Sequence, residues 1–496
     1  GAERLRMVKT ALPEVAFDPP IAAPPPLRRE TGDPTRDEAV AEILRGWLEA
    51  IGPVTAADLA RRLGVARADV EIGLARLENE GVVLRGRFTS ATPPDEVEWC
   101  ERRLLARIHR LTIGRLRREI EPVSAAEFIR FLLRWQHLYP GSLLHGRDGI
   151  LQVIGQLQGL ELPAPSWEAG VLPARIATYD PADLEALCLS GEVVWGRLSL
   201  KDGVEIGSES DSDDPESRPR RRQAPTRSAP LGLALREDLT NFLEESKGRE
   251  VRLRGLSAAA QDVIGHLEAH GASFLKDVAR ATARLPAEVE EALWELVAHG
   301  LVTGDGIAGL RLLLTRGERR IRSRRPRPGR LRRPRRRPVP AGRWALLRSG
   351  GGATGEEAVE ARARQLLRRY GVVFRELLTR ESRAPVWRDL LRIYRSMEAR
   401  GEIRGGRFVS GFVGEQFALP EAVEALRALR RQNKEDEAVL VSSADPLNLV
   451  GILTPGAKIS PLSHQVILYR NGVPIEAGEL GAVRHRFRAQ DSVPTP

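Results

Sequence analysis

The chain has 496 residues, of which 42% are hydrophobic and 29% charged, and a formal net charge of +10. That length exceeds a single core and implies about three to six folded units. Two cysteines are too few for a disulfide framework or for a zinc site of about four ligands, and no apolar run reaches the ~18 residues of a membrane span.

The positive sign points to a polyanionic partner, nucleic acid or an anionic surface. The scarcity of cysteine fits a reducing, cytoplasmic compartment. The amino terminus, GAERLRMVKT, has no signal-peptide pattern and does not start with Met, which reads as an internal fragment or a cleaved chain. Residues 1–35 read as a proline-rich linker or strap, with DPPIAAPPPLRRETGDP at 18–34.

Residues 36–92 spell a winged helix. A first helix carries Val40, Ile43, Leu44, Trp47 and Leu48 at helical spacing, and a second is capped by Thr55 and closed at Gly64. A third turns Val70, Leu74 and Leu77 inward, and a short strand follows, turning at Gly86. Residues 93–200 read as a modified, winged-helix-like module with a candidate pocket. They start with a long basic helix, PDEVEWCERRLLARIHRLTIGRLRREI, and close with Gly191 before Glu192-Val193-Val194-Trp195.

Residues 201–255 read as a largely disordered linker plus a short helix, with an acidic half then a basic half across 207–230. The helix-helix-helix-wing order returns at 256–315 and at 353–413, separated by an arginine-rich linker, 316–352, with no acid from Arg319 to Pro340. Residues 414–496 change period. A helix near 420–433 precedes alternating stretches with Asn471-Gly472 between VILYR and VPIEA, a hairpin signal read as part of a small β-barrel. The expected fold class is mainly α with β: tandem winged-helix modules followed by a small C-terminal β-barrel.

A phosphate-binding G-x-x-x-x-G-K-[ST] loop is absent, as are H-E-x-x-H, paired C-x-x-C and G-x-S-x-G. No metal site is expected. In a winged helix the third helix and the wing face DNA. The candidate contacts are therefore Arg67, Arg76, Arg85 and Arg87 in the first copy and Arg388, Arg392, Arg395, Arg404 and Arg407 in the last. Arg102, Arg103 and Arg107 on the basic helix, and Arg175, are added to them. The 256–315 copy carries Glu288, Glu290, Glu291 and Glu295 on its third helix and reads better as a protein contact.

One segment, VIGQLQG at 153–159, sets Gln156 and Gln158 among apolar residues. Two residues at i and i+2 can share a face only in extended chain or at a helix end, and Gly155 and Gly159 would permit such a break. The amides either satisfy local backbone or face a pocket.

The phrases WCERRLLARIHRLTIGRLRREIEPVSAAEFIRFLLRWQHL, HGRDGILQVIGQLQG, CLSGEVVWGRLS, RRYGVVFRELLTRE and SAADPLNLVGILTPG resemble the C-terminal region of bacterial Lhr, the large helicase-related protein. The resemblance implies DNA repair, an upstream helicase motor in the same polypeptide that alone uses ATP and magnesium, and nucleoid association. It also implies a homo-oligomer, with a tetramer among the candidates.

Residues 150–198 also resemble DNA glycosylases of the AlkZ type. Gln156-Leu157-Gln158 matches their Gln-hydrophobic-Gln motif, and Arg175, Tyr179 and Leu184 follow; their His-hydrophobic-Pro element has no counterpart. That likeness makes Gln156 and Gln158 candidate catalytic residues for base excision, in which the base is extruded and an amide orients water or holds the leaving base. The competing expectation is a non-catalytic scaffold that binds single-stranded or duplex DNA and assembles the motors.

Overall fold

The computed structural model describes residues 4–17, 19–21, 34–89, 92–93, 95–118, 121–200, 229–243, 255–311, 342–347, 355–431 and 438–491. It divides into two compact units, 1–119 and 120–496.

In the first unit Thr35 opens the helix Arg36–Leu48 through a reciprocal box with Glu38. Thr55 caps Ala56–Leu63, and Gly64 closes that helix at φ 66°. Val40, Leu44 and Leu48 pack with Val70, Leu74 and Leu77 in one core. Trp47, expected inside, is 41% exposed, because it falls at the edge of the apolar stripe that Leu44 and Leu48 centre.

The sheet places Glu98–Glu101 between Val54–Thr55 and Val83–Gly86. The basic helix thus begins only at Arg102 and runs to Arg118; EWCE, read from sequence as part of it, is a fully buried strand.

Glu98 fastens the wing to this strand. Its carboxylate accepts from Phe88 N, Thr89 N, Thr89 Oγ1 and Thr92 Oγ1 at 2.6–2.8 Å. Burial alone raises its pKa, but these hydrogen bonds outweigh it and hold the group at about 2, against an ordinary value of 4.5. A depressed folded pKa stabilises fully above the unfolded value and loses that contribution as pH falls through the folded one. Glu98→Gln should therefore speed exchange of the Phe88 and Thr89 amides at pH 7. Below about pH 2 the variant and the parent should exchange alike, and a difference constant across pH would refute the carboxylate's role.

The second unit holds three more sheets of the same order, each with its third strand in the middle. They are Leu162–Pro163, Pro230–Leu235 and Val193–Gly196; Ser273–Phe274, Arg343–Leu346 and Val302–Gly304; and Val372–Val373, Gln416–Ala418 and Arg404–Gly406. Pro230–Leu235 and Arg343–Leu346 sit in stretches read from sequence as linkers. The arginine-rich 316–340 lies outside the described residues, as do most of 18–34 and all but the end of 207–230. The chain on both sides of 207–228 and of 316–340 belongs to the same wing.

The second and third modules share a core built round Trp195, Trp294 and Trp344, with ring centroids 5.2–6.4 Å apart. The helix Ala125–Trp135, read as part of the modified module, instead packs with the fourth module and the C-terminal sheet, where Phe128 lies 5.8 Å from Phe374.

No closed barrel forms among the described residues. The C-terminal strands Ala438–Ser442, Val466–Arg470 and Val473–Gly478 make a three-stranded antiparallel meander, too few to close a sheet on itself. The Asn471-Gly472 hairpin is present, with φ of 51° and 78°. Between the first two strands, residues 443–465 coil irregularly. Asp445 Oδ1 accepts Leu447 N, and Asn448 Nδ2 donates to Ser443 O and Ile459 O. These side chains satisfy backbone that a ladder would otherwise pair.

Candidate functional site

The helix Gly146–Leu157 carries Gln156 in its last turn and ends at Gln158, whose φ −56° and ψ 148° turn the chain away. Residues 155–159 are therefore not one extended segment, and the two amides diverge.

Gln158 is 1% exposed. Its Nε2 donates to Asp238 Oδ2 at 2.6 Å and its Oε1 accepts Leu235 N at 3.0 Å. Both ends of this amide are engaged in tying the helix to the strand Pro230–Leu235 and its following turn.

Gln156 is 8% exposed. Its Nε2 donates to Trp135 O at 2.9 Å, with Arg368 O at 3.5 Å. Its Oε1 is buried and has no hydrogen-bond partner among the described residues. Such an acceptor costs about 1–3 kcal/mol to leave unmet.

The end of this helix is held by another module. Terminal carbonyls have no intrahelical donor; here the helix Gly355–Tyr370 supplies them. Gln365 Nε2 donates to Gly155 O and Gln156 O, and Arg369 donates to Leu157 O and Gln158 O at 2.6–3.3 Å. Arg369 is itself buried and paired with Glu381. Its positive charge also suits the negative end of the helix dipole. Gln136 links Arg369 O to the Arg175 guanidinium through 2.9 Å bonds.

Where these elements meet lies an open cavity of about 770 Å³, within the size range of small-molecule sites. Phe131, Trp135, Leu151 and Leu429 give it apolar walls, and Gln152, Gln156, His137, Arg134 and Arg368 border it with polar groups. No carboxylate is among the described residues that border it.

His137 sits at φ 61°, in the left-handed region. Its Nδ1 lies 3.0 Å from Ser142 O, which can only accept, so Nδ1 carries the proton. Nε2 keeps its lone pair, 3.3 Å from Gln152 Nε2. Burial first, and then nearby Arg175, lower its pKa against the opposing Ser142 bond. Arg134 stacks over the Tyr139 ring at 4.5 Å.

Arg175, expected at DNA, is 0% exposed. It forms a two-pronged pair with Asp445 at 2.6 and 3.0 Å and also donates to Val171 O. A buried guanidinium held by Asp445, Gln136 and Val171 O cannot reach a phosphate, so this residue is a corner post of the fold. Tyr179 donates to Glu168 Oε1 at 2.7 Å, and burial, then Glu168, raise its pKa. Leu184 is core.

The other candidate arginines are exposed. In the first unit Arg67 pairs with Glu71, Arg76 with Glu80 and Glu38, and Arg85 lies over Trp99; Arg87, Arg102, Arg103 and Arg107 face solvent. In the fourth module Arg392 pairs with Glu356 and Arg395 with Glu415. Arg388, Arg404 and Arg407 have no ion pair among the described residues.

Sequence reasoning missed His137, Gln152, Gln365 and Arg369. One signal was available: Gln152 and Gln156 stand four apart, on one helix face.

No group of three or more His, Cys, Asp or Glu able to hold a metal exists among the described residues. No described helix is long and apolar enough to cross a membrane.

Residues 123–207 and 352–438 each match a winged-helix domain of the large helicase-related protein. A relative from Mycolicibacterium smegmatis, described as an Lhr helicase and probable uracil glycosylase, is 29% identical over 455 residues, covering 87% of this chain and 27% of that protein. One from Escherichia coli, described as an Lhr helicase and uracil glycosylase, is 29% identical over 447 residues, covering 82% and 26%. The chain thus spans about a quarter of the length of these relatives. The Streptomyces sahachiroi DNA glycosylase AlkZ aligns in structure at a TM-score of 0.40 and 13% identity, over 72% of this chain and 87% of that one. The resemblance to Lhr winged-helix domains read from the sequence is therefore shown.

Proposed function

We propose that this chain, an Lhr-type winged-helix region, holds DNA and receives an extruded base, uracil by analogy with the relatives' names, in the cavity beside Gln156, where the N-glycosidic bond is hydrolysed. The observation that carries this reading is the buried Gln156 Oε1, an acceptor without a donor among the described residues, at the wall of a cavity with apolar sides. A uracil ring presents N3–H between two carbonyls, so the amide oxygen could accept that hydrogen after a small side-chain rotation. Phe131 and Trp135 would stack on the ring.

In the reaction the bond from C1′ to the base nitrogen breaks, and a water oxygen bonds to C1′. The departing base keeps the electron pair and ends with the water's proton. Neutral His137, once its Nε2 lone pair is released from Gln152, and Gln152 itself would position that water. Arg134 and Arg368 would face the flanking phosphates and the charge developing on the base. Gln158 takes no part in this chemistry; its amide is already engaged, which favours a structural role.

In the full protein, ATP and magnesium would serve an upstream motor in the same polypeptide, and the region would assemble into a homo-oligomer. A second reading, a DNA-holding scaffold without chemistry, draws support from the lack of a carboxylate among the described residues that border the cavity.

The two separate cleanly. The chain, without ATP, is incubated with duplexes carrying a single uracil and then treated with alkali. Strand breaks should appear, and Gln156→Leu should lower them about 100-fold, the scale for one buried hydrogen-bonding group in the transition state, with DNA affinity kept. No breaks above background, or breaks unchanged in the variant, would leave the scaffold.

A further inference from the structure

The wing of the fourth module ends in an apolar side chain with nothing over it. Val413 is 82% exposed. It stands between Gly411 and Gly414, at φ 87° and 104°, and beside Phe412, which turns down onto Phe374 at 4.8 Å.

The stem below is braced in three ways. Buried Gln416 accepts Phe408 N and Val409 N through Oε1 and donates to Val409 O through Nε2, each at 2.8 Å. Val123 exchanges bonds with the same strand, giving N–H to Phe408 O and taking Ser410 N–H, both at 2.8 Å. Arg395 pairs with Glu415 at 2.7 Å at the foot of the tip. A stiff stem that holds an aliphatic group out in water stabilises nothing in the fold itself.

The surroundings carry excess positive charge. Arg404 and Arg407 on the wing and Arg388 at the start of the helix Trp387–Ala399 are exposed, without ion pairs among the described residues. The acids beside them are mostly engaged. Glu402 pairs with Arg364 and Arg400, Glu415 with Arg395, and buried Glu398 accepts Gly405 N. Asp389 alone on that helix start opposes them.

We propose that Val413 is a wedge that enters a base step of duplex DNA while Arg404, Arg407 and Arg388 grip the phosphates on either side. Apolar side chains inserted between base pairs unstack the step at a cost of a few kcal/mol, repaid by the contacts that the distortion permits. The wing is one of the two elements expected to face DNA in this fold, beside the third helix, and a wedge needs the stem rigidity seen here. An unstacked step is also the state from which a base leaves the duplex most easily.

The test uses the whole chain and short duplexes carrying 2-aminopurine at successive positions, whose fluorescence rises on unstacking. At saturation the chain should raise the signal. Val413→Ser should cut the amplitude at least fivefold with Kd within about twofold, and Val413→Phe should retain or increase it. Arg404→Ala with Arg407→Ala should weaken binding and flatten the salt dependence by about two phosphate contacts. The wedge is refuted by binding without a fluorescence rise, by a signal unchanged in Val413→Ser, or by binding lost together with the signal in that variant. Excision that persists under those outcomes leaves the base-excision reading intact. Absence of any DNA binding would overturn both readings.

Discussion

Asp445→Ala is expected to destabilise the second unit by about 3–5 kcal/mol, enough to unfold much of a marginally stable protein at 37 °C. Asp445 is 1% exposed and meets a guanidinium that is 0% exposed. Removing the carboxylate leaves Arg175 charged, buried and short of its two strongest acceptors, while Gln136 and Val171 O satisfy only part of it. It would also free Leu447 N, the anchor of the irregular 443–465 segment. The converse change is informative: replacing both partners at once, Arg175→Met with Asp445→Leu, removes the uncompensated charge and should recover most of the loss. Urea melts of the two variants decide the matter. A single variant within 1 kcal/mol of the parent would show that water reaches the pair.

Gly472→Ala should cost about 4 kcal/mol, large for one methyl group. Two effects add. The residue sits at φ 78°, where an L side chain is strained, and an added Cβ would run into the Ala126 carbonyl oxygen and within 2.9 Å of Arg130 Cγ. The first effect is worth about 1–2 kcal/mol and the second about 1–3 kcal/mol, since neither the helix Ala125–Trp135 nor the turn can yield freely. The hairpin would have to lift from that helix. A thermal melt should show the loss, and Asn471→Gly, which relaxes the neighbouring positive φ without filling space, should be neutral or mildly stabilising. Equal effects from the two changes would mean that the turn conformation, and not the contact, sets the cost.

Local chemistry is what the sequence displayed well. Thr55, Gly64 and Asn471-Gly472 act through their own backbone, so a short window contains the whole cause. The repeated helix and wing order was legible for the same reason, because helical spacing and the closing glycine recur within a short window of each module.

What failed was non-local. Arg175 looked like any arginine until the fold brought Asp445 to it, and no property of residues 170–180 announces that partner. EWCE read as helix because its neighbours do; only pairing to Val54–Thr55 and Val83–Gly86 makes it a strand. The barrel expectation rested on alternation and turn dipeptides across 437–480; Leu447 and Leu449 there are indeed buried, but in an irregular coil that Asp445, Asn448 and Tyr469 hold from the side.

The glutamine pair divides on the same line. A break in the chain at this pair was readable, whereas the opposite fates of the two amides depend on two other segments, the helix that ends at Trp135 and the strand and turn that carry Leu235 and Asp238.

The clamp on the helix Gly146–Leu157 bears on how the molecule comes to exist. Its bonds join residues far apart along the chain: Gln136 to Arg369 across 233 positions, Gln158 to Gln365 across 207 and Arg175 to Asp445 across 270. Contacts of such long range form late and slowly, since chain entropy must be lost before they repay it. During synthesis the cavity beside Gln156 would therefore remain unmade until the ribosome has released the helix Pro420–Arg431, which forms one of its walls. A nascent chain stalled earlier would hold finished winged helices and no cavity, so the winged-helix surfaces would exist on the ribosome before the site that the proposed base excision requires.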